Sequence, residues 1–322
     1  MTHRRPEDDL RDDGRRGVAP DVFADWATGQ AVALADAVKR VAAILHASGV
    51  DTPGLDARRL TLGLLLLDEV VLVREPERPV GHDEIETLKA GVLRRLAHEP
   101  VSRILGRRSF HGMEFEIGAA TLDPRPDTET LVDGVIGLVR SGVVPGGVRP
   151  RILDLGTGAG AILIALLAAL PGATGVGCDI DADALAIAKA NARRLGVDER
   201  AGFITSKWFE TVDGVFDLIV SNPPYIPRDE IAGLDAEVRL YDPHLALDGG
   251  VSGLVEYETI IAGLPGALAA DGWVVFEVGR GQASDVADLL VRAGGNVTYE
   301  IQEPWLDLAG VQRCVAAKAR AG

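Results

Sequence analysis

Arg151-Ile152-Leu153-Asp154-Leu155-Gly156-Thr157-Gly158-Ala159-Gly160 is a short, mostly apolar run that stops on three alternate glycines and passes at once into Ala161-Ile162-Leu163-Ile164. Such a run bounded by glycine reads as a buried strand over 151–155, followed by a helix over 161–170. Glycines at 156, 158 and 160 remove side chains where a helix begins, so the backbone can approach a nucleotide-like ligand closely. Further strands are expected at 174–179, 202–205, 216–221, 273–278, 298–302 and 312–316, with a helix over 183–195 ended by Gly196. Strands alternating with helices predict an α/β fold, a parallel sheet covered on both faces. The last two strands, with no long helix between them, should form an antiparallel hairpin at one edge.

Asp179 ends the second of these strands, where Rossmann logic places a carboxylate that accepts both ribose hydroxyls. The alternative reading is that Asp179 caps the helix beginning near Asp181 to Asp183. Asn222-Pro223-Pro224-Tyr225 follows the strand over 216–221 and so emerges at the same sheet edge. Two prolines hold a rigid bend and leave their carbonyls as acceptors; Asn222 adds a side-chain carbonyl. Two acceptors aimed at one planar NH2 group orient its nitrogen and take up the positive charge that grows as it attacks a methyl sulfonium. Tyr225 can stack on that group. The alternative is a plain Pro-Pro turn.

Upstream, apolar residues at three- and four-residue steps, as in Val38, Val41, Ala42 and Leu45, and in Leu88, Val92, Leu93 and Leu96, predict a domain of three to five short helices over 31–108. Breaks are expected at Thr52-Pro53-Gly54 and from Glu75-Pro76 to Gly81. A hairpin linker over 109–126 follows, then Asp127 or Thr128 as the cap of a helix through Leu131 and Val135 that opens the last domain, 127–322. Residues 1–30, rich in Arg, Asp and Glu, read as a solvated tail without the apolar core of a signal peptide.

A formal net charge of −15 argues against a protein that grips nucleic acid through its phosphates. Cys178 and Cys314 sit in separate apolar runs and read as buried free thiols, and the six histidines are scattered singly, so no metal site is expected. The most apolar stretch, 60–73, is broken by Asp68-Glu69 and is too short to cross a bilayer. A cytoplasmic protein is expected.

The chain resembles the release factor glutamine N5-methyltransferases, the HemK/PrmC family, over roughly residues 31–317. The resemblance rests on the glycine turn, on Asn222-Pro223-Pro224-Tyr225, and on Glu99-Pro100-Val101 with Ile104-Leu105-Gly106. It also includes Pro124-Arg125-Pro126-Asp127-Thr128-Glu129, Trp208-Phe209 and Asp307-Leu308-Ala309-Gly310. It implies a helical substrate-recognition domain, a hairpin linker and a seven-stranded, Rossmann-like class I methyltransferase domain. It further implies S-adenosyl-L-methionine as cofactor, lined by Gly156, Thr157, Gly158, Ala159, Gly160 and Asn222, with Asp179 on its ribose and Trp208 on its adenine. The glutamine amide of the Gly-Gly-Gln loop of a peptide chain release factor would be held by Asn222, Pro223 and Pro224, with Tyr225 beside it; Asn222, Pro223 and Tyr225 carry the catalysis. A helix-start salt bridge accounts equally well for Arg125 and Glu129. Two positions depart from the family pattern: Lys207, where an acidic residue often accepts from adenine, and His111, where a larger aromatic or apolar residue is usual.

Two rivals are weighed against a monomeric enzyme of this kind. An adenine N6 or cytosine N4 methyltransferase needs the same acceptors for an exocyclic NH2 but must also flip a base and hold phosphates, which the acidic charge and 5% aromatic content oppose. A noncatalytic scaffold of the same fold would bind no cofactor.

Overall fold

The computed structural model describes residues 22, 23, 26, 31–293 and 297–321. The tail expected over 1–30 therefore lies almost wholly outside the described residues. Trp26 within it is buried and meets Phe23 edge-on, ring centroids 6.2 Å apart. The chain divides into two compact units, residues 1–105 and 106–322.

The first unit holds five helices among its described residues: α1 (Leu34–Ala47), α2 (Pro53–Leu64), α3 (Glu69–Arg74), α4 (His82–Leu96) and α5 (Val101–Leu105). Leu34, Ala37, Val41 and Leu45 put one face of α1 into a core shared with Leu60, Leu88 and Val92. Pro53 begins α2, where its missing N–H costs nothing. The break after α3 holds a short strand, β2 (Pro79–Val80), paired with β1 (Val32–Ala33), which helical periodicity could not signal. Glu84 reaches back to the Gly81 N–H at 2.9 Å to close the start of α4.

The second unit opens with the hairpin β3 (Arg107–Phe110) and β4 (Met113–Glu116), turning at His111-Gly112, both at positive φ. It continues through α6 (Glu129–Arg140), β5 (Arg151–Leu155), α7 (Ala161–Ala169), β6 (Thr174–Asp179), α8 (Ala182–Arg194), β7 (Ala201–Thr205) and β8 (Phe216–Ser221). Then come α9 (Ala236–Tyr241), α10 (Val255–Ala267), β9 (Leu268–Glu277), α11 (Ala283–Arg292), β10 (Val297–Ile301), β11 (Trp305–Leu306) and β12 (Gln312–Ala321). The sheet order is β10-β12-β9-β8-β5-β6-β7, with β11 beside β12. β12 runs antiparallel to both β9 and β10, so the late pair is antiparallel as expected but reaches the interior of the sheet.

Alternate residues of each strand feed opposite faces. Ile152, Leu218, Val220 and Val275 pack with α6, α7 and the hairpin aromatics Phe110 and Phe115, while Leu153, Ile219, Val274 and Phe276 pack with α10 and α11. α7 is apolar on nearly every side because it is buried on nearly every side. Cys178 and Cys314 are both buried free thiols within strands. The chain order reverses at β5, which lies between β6 and β8, and ligands in open α/β sheets bind in the crevice beyond that point. No helix among the described residues is long and apolar enough to cross a membrane.

Candidate active site

The turn after β5 is held from below. Gly156 N–H and Thr157 N–H both donate to the Cys178 carbonyl at 2.9 Å, and the Thr157 hydroxyl donates to Asp154 at 2.6 Å. Burial pushes the Asp154 carboxyl up to about 7. Gly156, Gly158 and Gly160 all lie at positive φ, 71°, 54° and 80°. Their uses differ. A Cβ at Gly160 would come within 2.8 Å of Ile164 and 3.2 Å of Ala188, so that glycine permits α7 to pack closely, whereas a Cβ at Gly158 would meet nothing within 4 Å. Thr157 and Ala159 face inward: the first braces the turn, and the second is buried with its carbonyl taken by the Asn191 side chain at 3.0 Å. Asn191 also exchanges hydrogen bonds with the backbone of Glu116, tying the turn to the hairpin.

Asp179 closes β6 beside this turn. One carboxylate oxygen accepts from Gly158 N–H at 2.8 Å and the other from Asp181 N–H at 3.0 Å. Burial pushes its pKa up from the ordinary carboxylate value, making it a weaker acid. The helix cap belongs to Asp181, which accepts from Asp183 and Ala184 N–H, so the capping alternative for Asp179 falls away. Trp208 stands on the same side; a Cβ on Gly156 would touch its ring at 3.5 Å, and its indole N–H donates to Glu256 at 2.8 Å. Lys207 beside it is exposed.

β8 delivers the proline motif to the same edge. The Ser221 hydroxyl donates to the Leu155 carbonyl at 2.8 Å, fastening the end of β8 to the start of the glycine turn. Asn222 is half-buried, and its Nδ2 donates to Thr128 Oγ1 at 3.4 Å. The carbonyl of Tyr225 accepts from Gln282 Nε2 at 3.0 Å, and burial pushes its phenol up to about 12. Gly249 and Gly253 lie so near the Tyr225 backbone that a Cβ on either would collide with it. Asn222 and Tyr225 line a pocket of about 260 Å³ together with Arg125 and apolar side chains that include Leu122, Leu234, Val238 and Leu247.

Three sequence expectations change here. Thr128 stands at the N-cap of α6 but its hydroxyl caps nothing, because it is turned to Asn222. Arg125 and Glu129 form no helix-start salt bridge: Arg125 pairs with the buried Asp242 at 2.5 Å, and Glu129 accepts from His111 N–H at 2.8 Å. His111 turns the hairpin and bonds Asp133 at 3.0 Å. Sequence reasoning also missed Glu277, a fully buried carboxyl at the end of β9 that burial pushes up to about 7. Its one sequence signal is an acid directly after the apolar run Trp273-Val274-Val275-Phe276. Among the described residues, no group of three or more His, Cys, Asp or Glu side chains could hold a metal ion.

Comparison with known proteins agrees with this layout. The methyltransferase small domain model matches residues 143–236, and the PrmC N-terminal domain model matches residues 36–106. The chain is 47% identical over 291 residues to the release factor glutamine methyltransferase of Rhodospirillum rubrum, covering 90% of this chain and 86% of that one. It is 43% identical over 295 residues to the protein of the same name from Bradyrhizobium diazoefficiens, covering 92% and 97%. Among solved structures, the catalytic domain of hMettl16 in complex with the MAT2A 3'UTR hairpin 6 superposes with a TM-score of 0.50 at 19% identity, over 64% of this chain and 76% of that one, a likeness of fold.

Proposed function

Because the chain belongs to the release factor glutamine methyltransferase family, we infer that its pocket beside Asn222 receives the glutamine side chain of the Gly-Gly-Gln loop of a peptide chain release factor. The enzyme transfers a methyl group from S-adenosyl-L-methionine to that side-chain amide nitrogen. The observation that carries the assignment of the site is the Ser221–Leu155 hydrogen bond, which sets the Asn222 motif against the glycine turn at one sheet edge.

The residues present fit the cofactor. Gly158 offers backbone with nothing in front of it, Asp179 keeps a lone pair on each oxygen after accepting one N–H apiece, and Trp208 gives an aromatic face beside Gly156. Gly156, Gly158, Asp179 and Trp208 would hold the nucleoside, with Gly160, Thr157 and Ala159 shaping the turn from behind. When bound there, S-adenosylmethionine supplies an electrophilic methyl group. Everything else falls to the chain. The Asn222 side-chain carbonyl and the Pro223 carbonyl accept the two amide N–H bonds, so the nitrogen is oriented and its growing positive charge is met by two dipoles. Pro224 stiffens the bend, and Tyr225 packs against the planar amide.

We propose that Asp179 is the ribose ligand, and Asp179→Ala should weaken S-adenosylmethionine binding about 10- to 100-fold in titration calorimetry, the scale of losing hydrogen bonds to a charged group. Unchanged affinity in a folded variant would remove Asp179 from the site. The helical unit is proposed to grip the protein substrate. The net charge of −15 favours a protein loop over a nucleic-acid strand, and we propose a monomer working in the cytoplasm, where translation ends. Labelled methyl should pass from cofactor to purified release factor and not to its Gln-to-Ala loop variant; label found only in nucleic acid would overturn the reading.

A further inference from the structure

Parallel strands β8 and β9 pair Ser221 with Phe276, so the next residue of each, Asn222 just past β8 and Glu277 at the end of β9, stand side by side. Glu277 is 1% exposed, and its own backbone carbonyl is fixed by the Tyr257 hydroxyl at 2.8 Å. Its carboxyl stands beside the Thr128 hydroxyl and the Asn222 amide, both of which favour its ionised form, and its Oε2 is buried without a hydrogen-bond partner. Thr128 Oγ1 in turn lies 3.4 Å from Asn222 Nδ2. A buried carboxyl is costly to keep unless its contacts serve something.

A primary amide has one end that only accepts and one that only donates. Against a substrate NH2 group only the accepting end is useful; a flipped amide would set donor against donor. Two acceptors, Thr128 Oγ1 and the Glu277 carboxyl, gather at the donating end of Asn222. We propose that Glu277, together with Thr128, is a positioning residue that locks the Asn222 amide with its carbonyl toward the methyl-accepting nitrogen. This rests on the reading that Asn222 accepts from the substrate amide.

Charge state enters through the same contacts. An ionised carboxylate accepts at both oxygens, whereas the protonated form spends one oxygen on an O–H that donates. The charged groups and acids that face Glu277 are Asp127 before α6, Arg313 and Cys314 on β12, Tyr225 after β8 and Tyr257 on α10; Asp127 opposes its ionisation and Arg313 favours it. Burial outweighs both and leaves the carboxyl near 7. Raising the pH through that point ionises Glu277 and strengthens it as an acceptor toward Thr128 and Asn222, so the turnover rate rises with pH there.

The test is kcat and KM of the full chain on purified release factor from about pH 5.5 to about pH 9, for wild type, Glu277→Gln, Glu277→Ala and Asn222→Ala. Glu277→Gln keeps a carbonyl that accepts from Asn222 and should retain most of kcat on the high-pH plateau while losing the limb near neutrality. Glu277→Ala should lose about 10- to 100-fold in kcat with KM for the cofactor little changed, the usual scale for residues that orient a reacting group. A Glu277→Gln profile that keeps the wild-type limb overturns the inference, and so does a folded Glu277→Ala variant with wild-type kcat. Should Glu277→Ala fail to fold, the Glu277→Gln profile decides alone. Loss of transfer in Asn222→Ala with both Glu277 variants unaffected would overturn only the positioning role; wild-type transfer by Asn222→Ala would overturn the substrate reading beneath it.

Discussion

Asn222→Ala should lower methyl transfer to the release factor about 100- to 1000-fold, the scale seen when one preorganised dipole is taken from a developing charge. The side chain amide of glutamine is a weak nucleophile, its lone pair delocalised into the carbonyl. Attack builds positive charge on nitrogen, and the two N–H bonds become stronger donors as it does. An acceptor aligned in advance is therefore worth more at the transition state than in the ground state, so the loss should fall on kcat. The fold should survive. Asn222 is half-buried, its hydrogen bond to Thr128 is long at 3.4 Å, and the turn is held independently by Ser221 to Leu155 and by Gln282 to the Tyr225 carbonyl. The circular dichroism spectrum should match wild type. A variant that turns over at the wild-type rate has no place for Asn222 in the chemistry.

The parallel half of the sheet was readable because each of its strands is a short apolar run closed by a turn signal. β5, β6 and β8 occupy 151–155, 174–179 and 216–221, as their sequences predict. β9 begins at Leu268, five residues before the expected strand, since Asp271 at φ 60° and Gly272 look like a turn but form an irregularity within the strand. The candidate site was legible where its residues are contiguous in sequence, in the glycine turn and the proline motif that β5 and β8 bring to one sheet edge. It was opaque where partners come from distant sequence. Arg125 finds Asp242, Glu129 finds the His111 backbone, and Glu277 meets Asn222 only through the register of two strands. Thr128 shows the same limit: its position predicts a helix cap, and tertiary neighbours claim the hydroxyl instead.

Arg95→Ala should destabilise the helical unit by about 3–5 kcal/mol, the scale of stranding a buried charge. Arg95 Nε donates to Asp56 Oδ2 at 2.8 Å with the two side chains only 8% and 11% exposed, joining α4 to α2 beside Leu60, Leu88 and Val92. Thr52 adds one hydrogen bond to Asp56 at 3.1 Å, which cannot neutralise a carboxylate. Against a domain stability of about 5–15 kcal/mol, such a loss is a large share. The double variant Asp56→Leu/Arg95→Met removes both charges and should recover most of the loss, because an apolar pair of similar volume avoids the desolvation penalty. Denaturant midpoints followed by circular dichroism measure both. The consequence for function separates the two units. The glycine turn, Asp179 and Trp208 all belong to residues 106–322, so S-adenosylmethionine affinity should be unchanged in Arg95→Ala. Transfer to intact release factor should instead fall as the helical unit melts. Full transfer at a temperature where that unit has unfolded would leave it no part in gripping the substrate.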